Sequence, residues 1–320
     1  MTDSMEPKNP PMTEESEIKQ GQLWDRLLHA TAHGHASNAL VPIPTTYTIL
    51  KDSGVRFALR LLESLQQKAA TQAIKVASKE SPRPAFNPFL PYEKDLFVGD
   101  INTTHAVVLN KFKVIDHHML LITRDFQSQT DLLTTADFHA MMLSLDEIDG
   151  LAFFNGGEAA GSSQPHKHLQ VIPLPMTPHP KEPRLPIDPL LQEYASSKNI
   201  ETHPSLPYVH AFQSQKETWK HPPETRALLW QQSYHQLLRS TGLWSRKEVP
   251  SGPQMAPYNL LATRHWMMIV PRSQEFYQGI SINALGFAGG LLARTPEEQT
   301  QIQDIGPFEF LRHVGIPLPT

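Results

Sequence analysis

The spacing of apolar residues predicts a mixture of amphipathic helices and half-buried strands. Leu23, Leu27 and Leu28 fall on one helical face, which predicts a helix over residues 23–36. Between Val55 and Leu61 alternate positions are apolar, which predicts a strand with one buried side. Similar patterns predict further strands at residues 105–109, 119–123, 151–154, 165–172, 208–212, 258–262 and 266–270.

Two more helices follow recognisable start signals. Thr134 or Thr135 is a suitable N-cap for a helix whose apolar face is Phe138, Met141, Met142, Leu145 and Ile148. Pro222 or Pro223 begins a second helix, whose apolar face is Ala227, Trp230, Tyr234 and Leu237. Runs of strands interrupted by single helices predict the α+β class with antiparallel sheets.

The order of elements suggests two related units. Residues 1–20 are polar and proline-rich, which predicts a disordered tail, and residues 68–84 predict a polar connector. A first unit is predicted over 21–190 and a second over 191–320. The segment Asn110 to Arg124 and the segment Asn259 to Arg272 each contain an asparagine, a short loop, a histidine, an apolar strand and an arginine. We therefore predict two diverged copies of one α+β unit.

Composition narrows the chemistry that is available. Cysteine is absent, which excludes disulfides, thiolate nucleophiles and cysteine-ligated metals, while 16 histidines are present. The net charge of −4 gives no bulk reason to expect nucleic acid or a membrane as partner. The absence of long apolar runs and of a secretion signal predicts a cytoplasmic protein.

The main candidate for chemistry is the segment from Gly161 to Gln170. On a strand, His166, His168 and Gln170 share one face, and Lys167 points to the other. The preceding Gly-Ser-Ser turn has small side chains, which allow backbone N–H groups to approach phosphate oxygens. An imidazole, an anion-binding loop and an amide together suit phosphoryl or nucleotidyl transfer.

Within this segment, His168 is the candidate nucleophile and His166 a positioning or phosphate-contacting residue. Attack by His168 requires that its other ring nitrogen donates a hydrogen bond, which fixes the tautomer. Gln170 is an uncharged donor for a non-bridging oxygen. The alternative for a His-x-His pair is a metal half-site, which needs further His, Asp or Glu ligands. Adjacent His117 and His118 are not expected to bind a metal together, because successive strand residues point opposite ways.

The segment Asn155-Gly156-Gly157, followed by Gly161 to Gln170, resembles the active-site motif of the ATP adenylyltransferases (diadenosine tetraphosphate phosphorylases). This family is a branch of the histidine-triad superfamily. Four other stretches agree with it, at residues 39–45, 87–93, 109–114 and 283–289. The resemblance implies two histidine-triad-like units with antiparallel sheets and flanking helices, as in galactose-1-phosphate uridylyltransferases. The second unit would then be an ATP adenylyltransferase unit that completes the nucleotide site.

The resemblance also implies an activity and a set of site residues. The activity is phosphorolysis of diadenosine tetraphosphate (Ap4A) with phosphate to ATP and ADP, reversibly, through an AMP–histidine intermediate on His168. Residues implied to contact substrate phosphates are Asn155, Gly161, Ser162, Ser163, Gln164 and Gln170. Lys51 matches a substrate-contacting lysine, and Asn110 and Lys111 are further candidate contacts. Residues implied to close over the nucleotide are Asn259, Thr263, Met268 and Arg272.

Gln170 stands where the hydrolase branch of the superfamily has a third histidine. A glutamine cannot protonate a leaving group, so transfer of a nucleotidyl group to an acceptor is favoured over simple hydrolysis. The family implies a divalent cation, Mg²⁺ bound with the polyphosphate, and no protein metal site is assigned. Arg272, at a strand end, is expected to be exposed, as a phosphate clamp or as a surface charge. Two other functions remain open: a uridylyltransferase of the galactose-1-phosphate type, and a non-catalytic sensor of dinucleoside polyphosphates. The oligomeric state is left open.

Overall fold

A computed structural model of the chain describes residues 8–63, 87–177, 179–194 and 196–318. Most of the strands in these ranges belong to one antiparallel sheet. The strands are β1 (Val41–Pro42), β2 (Thr45–Asp52), β3 (Val55–Leu62), β4 (Phe97–Asp100), β5 (His105–Leu109), β6 (Phe112–Lys113), β7 (Met119–Thr123), β8 (Gly150–Gly156), β9 (His168–Pro173), β10 (Ile200–Glu201), β11 (Ala211–Ser214), β12 (Tyr258–Ala262), β13 (Trp266–Pro271), β14 (Phe276–Tyr277), β15 (Ile280–Ser281) and β16 (Gly290–Ala293). The α-helices are α1 (Leu23–Ala36), α2 (Thr135–Glu147), α3 (Asp188–Leu191), α4 (Pro223–Ser240), α5 (Ala284–Phe287), α6 (Pro296–Ile305) and α7 (Pro307–Val314).

The central sheet has nine described strands in the order β10-β11-β13-β12-β8-β9-β7-β5-β4. Every neighbouring pair in it is antiparallel. The five strands from β8 to β4 come from residues 97–173, the first half of the fold, and the other four come from residues 200–271, the second half. The pairing of β8 with β12 joins the two halves, so the expected α+β class with antiparallel sheets is confirmed.

Both halves follow the same path through the sheet. A strand (β7 or β11) is followed by a long helix (α2 or α4) and then by two antiparallel strands, β8 and β9 or β12 and β13. In both halves the last strand pairs with the strand before the helix. The repeat is therefore present, but the segments compared in the sequence do not correspond. β7 precedes its helix whereas β13 follows one, and two buried strands with polar ends have similar patterns wherever they lie.

One face of the sheet is covered by helices α1, α2 and α4. Leu27, Phe138 and Trp230 are fully buried in the apolar cluster between these helices and the sheet. Helix α2 begins with the expected cap. The Thr134 side chain accepts the Asp137 N–H, and the Asp137 carboxylate accepts the Thr134 N–H at 2.7 Å. Such reciprocal bonds satisfy two otherwise unpaired N–H groups at a helix start.

The opposite face of the second half is covered by the small sheet β16-β3-β2 and by α5, α6 and α7. Phe57, Leu291 and Phe310 from these elements share an apolar cluster with Phe153 and Met268 of the central sheet. On the same face of the first half lies a smaller cluster, which contains Phe89, Tyr92, Ala106, Val108, Leu120 and Ile122. His168 and Gln170 of β9 lie on this face, because they pair with Ile122 and Leu120.

Several element boundaries differ from the sequence prediction. The strand expected from 165 begins at His168, and the strand expected over 208–212 lies at Ala211–Ser214. Strands β2 and β4 were not predicted. The connector predicted over 68–84 lies outside the described residues. Among the described residues, no helix has the length and apolar content needed to cross a membrane.

The predicted disordered tail is ordered in part. Residues 1–7 lie outside the described ranges, but the Ile18 N–H donates to the Asp100 carbonyl at 2.8 Å, and the Asp100 N–H donates to the Ser16 carbonyl at 2.7 Å. β4 is an edge strand of the central sheet, so its outer N–H and C=O groups need partners. A polar, proline-rich segment can supply them without contributing a core of its own.

Candidate active site

The ring of His168 is held in one tautomer at the start of β9. Its Nδ1 lies 2.9 Å from the carbonyl oxygen of His166, and a carbonyl only accepts, so Nδ1 carries the proton. Burial lowers the pKa of His168 to about 4, which leaves the ring neutral at pH 7. Nε2 therefore presents a lone pair, and no described residue forms a hydrogen bond with it. This arrangement meets the condition set for a nucleophile.

The backbone of His168 is held by a side chain that the sequence did not single out. The Gln129 Oε1 accepts the His168 N–H at 2.8 Å, and the Gln129 Nε2 donates to the carbonyls of Asn155 (2.9 Å) and His168 (3.3 Å). One amide thus pairs with the end of β9 and with the end of β8 as a strand would. No local pattern marks Gln129, because it lies in an irregular segment about 40 residues before its partner.

His166 lies beside the site, and the protein engages both of its ring nitrogens. Its Nε2 donates to the Thr123 carbonyl at 2.8 Å, and its Nδ1 accepts from the Asn87 Nδ2 at 3.0 Å. Both ring nitrogens are therefore engaged, which leaves neither for a phosphate or a metal. The Phe89 ring lies against both imidazoles, with centroids 5.6 Å from His166 and 5.3 Å from His168. The positioning role expected for His166 fits this geometry, and Asn87 and Phe89 were overlooked although they lie in a stretch that carried the family resemblance.

Lys167 points to the opposite face, as strand alternation predicts. Its ammonium group lies 3.4 Å from the Asp137 carboxylate, which also bonds to His105 at 3.0 Å, and all three side chains are buried. Burial by itself raises the pKa of Asp137, but the bond to His105 and the charges of His105 and Lys167 hold it at about 2. This charged cluster fixes the start of α2 to the strand segment that carries His168.

The loop before β9 turns tightly at Gly161, whose φ is +88°. A Cβ at this position would lie 2.8 Å from the Cβ of Asn283, so only glycine fits. The N–H groups of Gly161 and Ser162 donate within the turn, to the Glu158 and Gly157 carbonyls. The N–H groups of Ser163 and Gln164 have no acceptor among the described residues. The anion-binding donors expected from this loop are therefore these two rather than all four.

Asn155 lies beside His168 on the same face of the sheet. The register pairs Phe153 with Gln170, and its continuation sets Asn155 opposite His168. The Asn155 Oδ1 accepts from the Asn259 Nδ2 at 2.9 Å and from the Ala284 N–H at 3.1 Å. The oxygen is thus occupied from inside the protein. The Asn155 Nδ2 has no partner among the described residues and is available to a ligand.

Arg272 is buried, contrary to the expectation of an exposed strand end, with only 3% of its surface accessible. Nε donates to the Val314 carbonyl, Nη1 donates to the Asn259 Oδ1 and the Ala160 carbonyl, and Nη2 donates to the carbonyls of Gln274 and Ile282. All five N–H donors of the guanidinium are therefore used. Burial lowers the pKa of Arg272 to about 9. In this arrangement Arg272 has no donor left for a phosphate, and its side chain is covered by the end of α7 and the loop before α5, although the next two residues are exposed.

Gln170 is half-buried on the same face as His168, and its Oε1 accepts from the His118 Nε2 at 3.0 Å. The Asn110 side chain bonds to the other nitrogen of His118 at 3.1 Å. His118 was considered in the sequence only as a metal ligand, so its contact with Gln170 was missed. The signal that could have found it is the predicted pairing of two neighbouring strands.

The remaining predicted residues lie away from His168 or have other partners. Lys51 is exposed on β2 of the small sheet, and Lys111 pairs with Glu93 at 2.7 Å. Thr263 follows the end of β12 that is opposite to Asn259, four residues or roughly 13 Å away. Met268 is buried on β13. It is separated from Gln170 by three successive strand pairings across the sheet, or roughly 14 Å. Thr263 and Met268 were expected to close over the nucleotide, and their separation from His168 does not support a contact there.

The chemistry available at His168 is nucleophilic attack assisted by neutral donors. The amides of Asn155 and Gln170 lie on the same face of the sheet as the unprotonated Nε2, and Ser163 and Gln164 lie in the loop that leads into β9. The described residues contain no group of three or more His, Cys, Asp or Glu side chains placed to hold a metal ion.

Two sequence models of known families match the chain. One is described as the Ap4A phosphorylase N-terminal domain and matches residues 13–193, and the other, the ATP adenylyltransferase C-terminal domain, matches residues 204–317. "Protein APA1" of Saccharomyces cerevisiae is 29% identical over 220 residues, which are 65% of this chain and 67% of that protein. Diadenosine 5',5'''-P1,P4-tetraphosphate phosphorylase 2 of the same yeast is 27% identical over 246 residues, 69% of this chain and 73% of that protein.

A solved structure has the same fold. The crystal structure of yeast Ap4A phosphorylase Apa2 has a TM-score of 0.73 at 20% identity and covers 95% of this chain and 100% of its own. The same yeast enzyme in complex with Ap4A has a TM-score of 0.70, with equal coverage. At this identity the likeness concerns the fold, which agrees with the two-unit antiparallel architecture described above.

Proposed function

This chain belongs to the Ap4A phosphorylase family and is a nucleotidyltransferase, and from that premise we propose that it cleaves Ap4A with inorganic phosphate to give ATP and ADP. The proposal includes a covalent intermediate in which AMP is bound to His168. A single observation carries it. The Nδ1–H of His168 is tied to the His166 carbonyl, so that Nε2 is unprotonated on the sheet face that also carries Asn155 and Gln170.

In the first step, the Nε2 lone pair of His168 attacks the α-phosphorus of one adenylyl group. A nitrogen–phosphorus bond forms as the bond to the oxygen between the α- and β-phosphorus breaks. That oxygen takes the electron pair and leaves as the terminal oxygen of ATP. The proton on Nδ1 stays in its hydrogen bond to the His166 carbonyl, which stabilises the positive charge that develops on the ring.

In the second step, an oxygen of inorganic phosphate attacks the same phosphorus. The nitrogen–phosphorus bond breaks, its electron pair returns to Nε2, and ADP leaves. Each step is a displacement at a phosphorus atom, so the pathway runs in either direction according to the concentrations of the nucleotides. Neither step needs a protonated side chain beside the leaving oxygen, since a polyphosphate is a good leaving group at neutral pH. This fits a glutamine at position 170.

Stabilisation of the transition state falls to uncharged donors. The N–H groups of Ser163 and Gln164 and the free amide nitrogens of Asn155 and Gln170 are suited to the non-bridging oxygens of the α-phosphate. Fixed donors in a partly dehydrated site need no reorganisation as charge develops. All four groups are hydrogen-bond donors, which supports binding of an anion even though no described lysine or arginine bonds to any of them.

We propose further that a divalent cation, Mg²⁺ in the simplest case, enters with the polyphosphate. The donor set around His168 is made of N–H groups and imidazoles, which suit phosphate oxygens better than Mg²⁺, and Mg²⁺ prefers oxygen ligands and water. When bound, the cation would neutralise charge on the phosphate chain. Its ligands would then come from the nucleotide, with no dedicated protein site required.

The test is the dependence of product formation on phosphate. Ap4A is incubated with the protein and Mg²⁺, and nucleotides are separated by chromatography. We expect ATP plus ADP in equal amounts only when phosphate is present, and without phosphate a single burst of ATP with an acid-labile adenylyl adduct. Substitution His168→Ala should abolish the adduct, whereas the exposed His221→Ala serves as the matched control and should retain it.

Three outcomes contradict the proposal. Release of two ADP without phosphate indicates a hydrolase. Turnover of a uridine nucleotide sugar with no reaction of Ap4A indicates the uridylyltransferase function. Tight binding of Ap4A with no product under any acceptor indicates a sensor. An adduct that persists in the His168→Ala protein overturns the assignment of the nucleophile alone.

A further inference from the structure

A chain of hydrogen bonds runs from the backbone of β6 to Gln170. The N–H of Phe112 donates to the Asn110 Oδ1 at 3.3 Å. A backbone N–H can only donate, so the oxygen of the Asn110 amide must face it and the nitrogen must face the other way. The Asn110 Nδ2 lies 3.1 Å from the Nδ1 of His118. The orientation of this amide is thus set by a group whose polarity is not in question.

The amide of Asn110 in turn sets the tautomer of His118. An amide nitrogen only donates, so the Nδ1 of His118 accepts and its proton is on Nε2. The Nε2 donates to the Gln170 Oε1 at 3.0 Å. The ring of His118 is buried beside Phe153, and burial lowers its pKa to about 4, so the ring stays neutral at pH 7. His118 and His168 therefore carry their protons on opposite ring nitrogens.

The last hydrogen bond of this series fixes the orientation of the Gln170 amide. Its oxygen is held by His118, so its nitrogen, with two N–H donors, points away from His118. Rotation of the amide by half a turn would bring its NH₂ group against the N–H of His118 and leave a buried donor unpaired, which costs roughly 1–3 kcal/mol. Gln170 is half-buried two residues along the strand from His168, on the same face. In this orientation it offers only donors to the site.

A second chain gives Asn155 the same polarity. Arg272 donates to the Asn259 Oδ1, and the Asn259 Nδ2 donates to the Asn155 Oδ1, which leaves the Asn155 Nδ2 to a ligand. The two amides beside His168 thus have their oxygens turned inward by unrelated groups. Two independent chains with the same result favour a requirement for donors over an accident of packing.

We propose that His118 is a positioning residue, which acts through Gln170 by holding its amide as a hydrogen-bond donor toward the reacting phosphate. The inference rests on the proposed function, because it needs an anion at His168. Gln170 cannot transfer a proton, so its whole contribution depends on which end of its amide faces the substrate. A glutamine free to rotate would present its oxygen part of the time and repel the charge that develops on the phosphate.

The test is a double-mutant cycle with His118→Phe and Gln170→Ala. Single-turnover formation of the adenylyl adduct from Ap4A is measured without phosphate, as a function of Ap4A concentration. Loss of one fixed donor costs on the order of 100-fold, so we expect that loss for Gln170→Ala, about 10-fold or more for His118→Phe, and a double variant no slower than Gln170→Ala. The loss should appear in the limiting rate and not in the half-saturating concentration.

Two further variants separate positioning from general damage. His118→Gln retains a donor for the Gln170 oxygen and should recover most of the rate. His117→Asn changes the residue next to His118. His117 bonds to Thr31 and takes no part in the series of hydrogen bonds to Gln170, and asparagine tolerates its positive φ. This variant should therefore leave the rate unchanged. Thermal unfolding is recorded for each variant, and should His118→Phe fail to fold, His118→Gln and the tautomer measurement below decide.

The tautomers provide a readout that does not depend on activity. Nitrogen-15 chemical shifts of labelled histidine should show the proton on Nε2 in His118 and on Nδ1 in His168. Additive losses in the cycle, an unchanged rate in His118→Phe, or a proton on Nδ1 of His118 would each overturn the proposal. If the wild-type protein forms no adduct at all, the proposed function fails. The tautomer of His118 then still shows whether the chain of hydrogen bonds exists.

Discussion

The two units of this protein have the same topology but different contents at corresponding strands. In the first unit, β9 carries His168 and Gln170 on the face away from the long helices. In the second unit, the corresponding strand β13 carries Trp266, Met268 and Val270 on that face, and all three belong to the apolar cluster under α5 and α7. The first unit has a polar row where the second has a core.

The presence of a cavity does not mark the unit that carries His168. Near the start of β13 the described residues line a cavity of about 390 Å³ that includes Phe212, His265 and Trp266. What marks the first unit is a set of polar side chains that the protein holds at one end, which leaves a lone pair free on His168 and N–H donors free on Gln170 and Asn155. The Nδ1–H of His168, the oxygen of Gln170 and the oxygen of Asn155 are each taken by protein groups. The comparison teaches that the two units differ in which polar atoms the protein leaves without a hydrogen bond, and not in whether a cavity is present.

The second unit contributes to the site from behind. Asn259 lies on β12 and Arg272 directly follows β13, and they hold the carbonyl of Ala160 and the side chain of Asn155 in the first unit. The second unit thus supports the loop that precedes β9. One copy of the fold carries the proposed nucleophile, and the other holds Asn155, one of the two amides on the same face.

The largest effect is expected when His168 of the first unit is replaced by methionine, the residue type of Met268 in the second unit. His168→Met removes the proposed nucleophile while it keeps a side chain of similar size. Formation of ATP and ADP from Ap4A should fall by roughly 1,000-fold or more, because the other unprotonated ring nitrogens described near the site, Nδ1 of His166 and Nδ1 of His118, are each engaged by an amide donor. The measurement is the steady-state rate with phosphate.

The reverse change is its control. Met268→His places an imidazole in an apolar core with no partner, which should destabilise the protein by roughly 2–4 kcal/mol and create no second adduct. Unfolding in urea and mass spectrometry of the adenylylated protein measure these results. Two adducts per chain in the Met268→His protein would show that a histidine on this strand reacts without hydrogen-bond partners to fix its tautomer, which contradicts our view of the site.

The next largest effect concerns the support from the second unit. Arg272→Met removes five hydrogen bonds and leaves buried carbonyls unpaired, so the free energy of unfolding should fall by roughly 3–5 kcal/mol. The adenylylation rate should also fall, about 10-fold, as Asn155 and Ala160 lose their anchor. Arg312→Met, which removes only a surface pair with Glu309, is the matched control and should change stability by less than about 1 kcal/mol. An unchanged adenylylation rate in a folded Arg272→Met protein would show that adenylylation does not depend on the support that Arg272 gives to Asn155 and Ala160.

A smaller effect is expected from the turn at Gly161, in the loop before β9. Gly161→Ala suffers both a positive φ and a Cβ contact of 2.8 Å with Asn283, so it should cost roughly 2–3 kcal/mol and displace the loop. Gly54→Ala is a close control, with φ +89° and no atom within 4 Å. The control should show the conformational cost, about 1 kcal/mol, with normal activity. Equal losses of activity in both variants would show that the contact with Asn283 is unimportant.

The smallest effect is expected from pH near neutrality. The pKa of His168 is lowered to about 4 by burial, and its neutral form is the nucleophile, so the adenylylation rate should be flat from pH 8 to about 6 and fall only as pH approaches 4. Unfolded histidine, with a pKa near 6.5, binds a proton that the buried ring does not, so the free energy of unfolding should decrease as pH falls from about 6.5 to 4. A rate that halves near pH 6.5 would show that the ring is not desolvated.

The sequence by itself determined much of the framework. Alternation placed His168 and Gln170 on one face and Lys167 on the other, and helix periodicity with a capping threonine gave α1 and α2 nearly to the residue. These features depend on the geometry of a few consecutive residues, which is why a local pattern is enough to predict them. The glycine and serine loop was identified for the same reason.

Only the tertiary structure decided which hydrogen bonds those residues make. Gln129 bonds to His168 from 39 positions away, His118 to Gln170 from 52, and Asn259 to Asn155 from 104. Arg272 was misjudged because exposure at a strand end depends on what folds over it, and here α7 and the loop before α5 do. A side-chain hydrogen bond is set by which distant groups the packed chain brings within about 3 Å, and no local period records that choice.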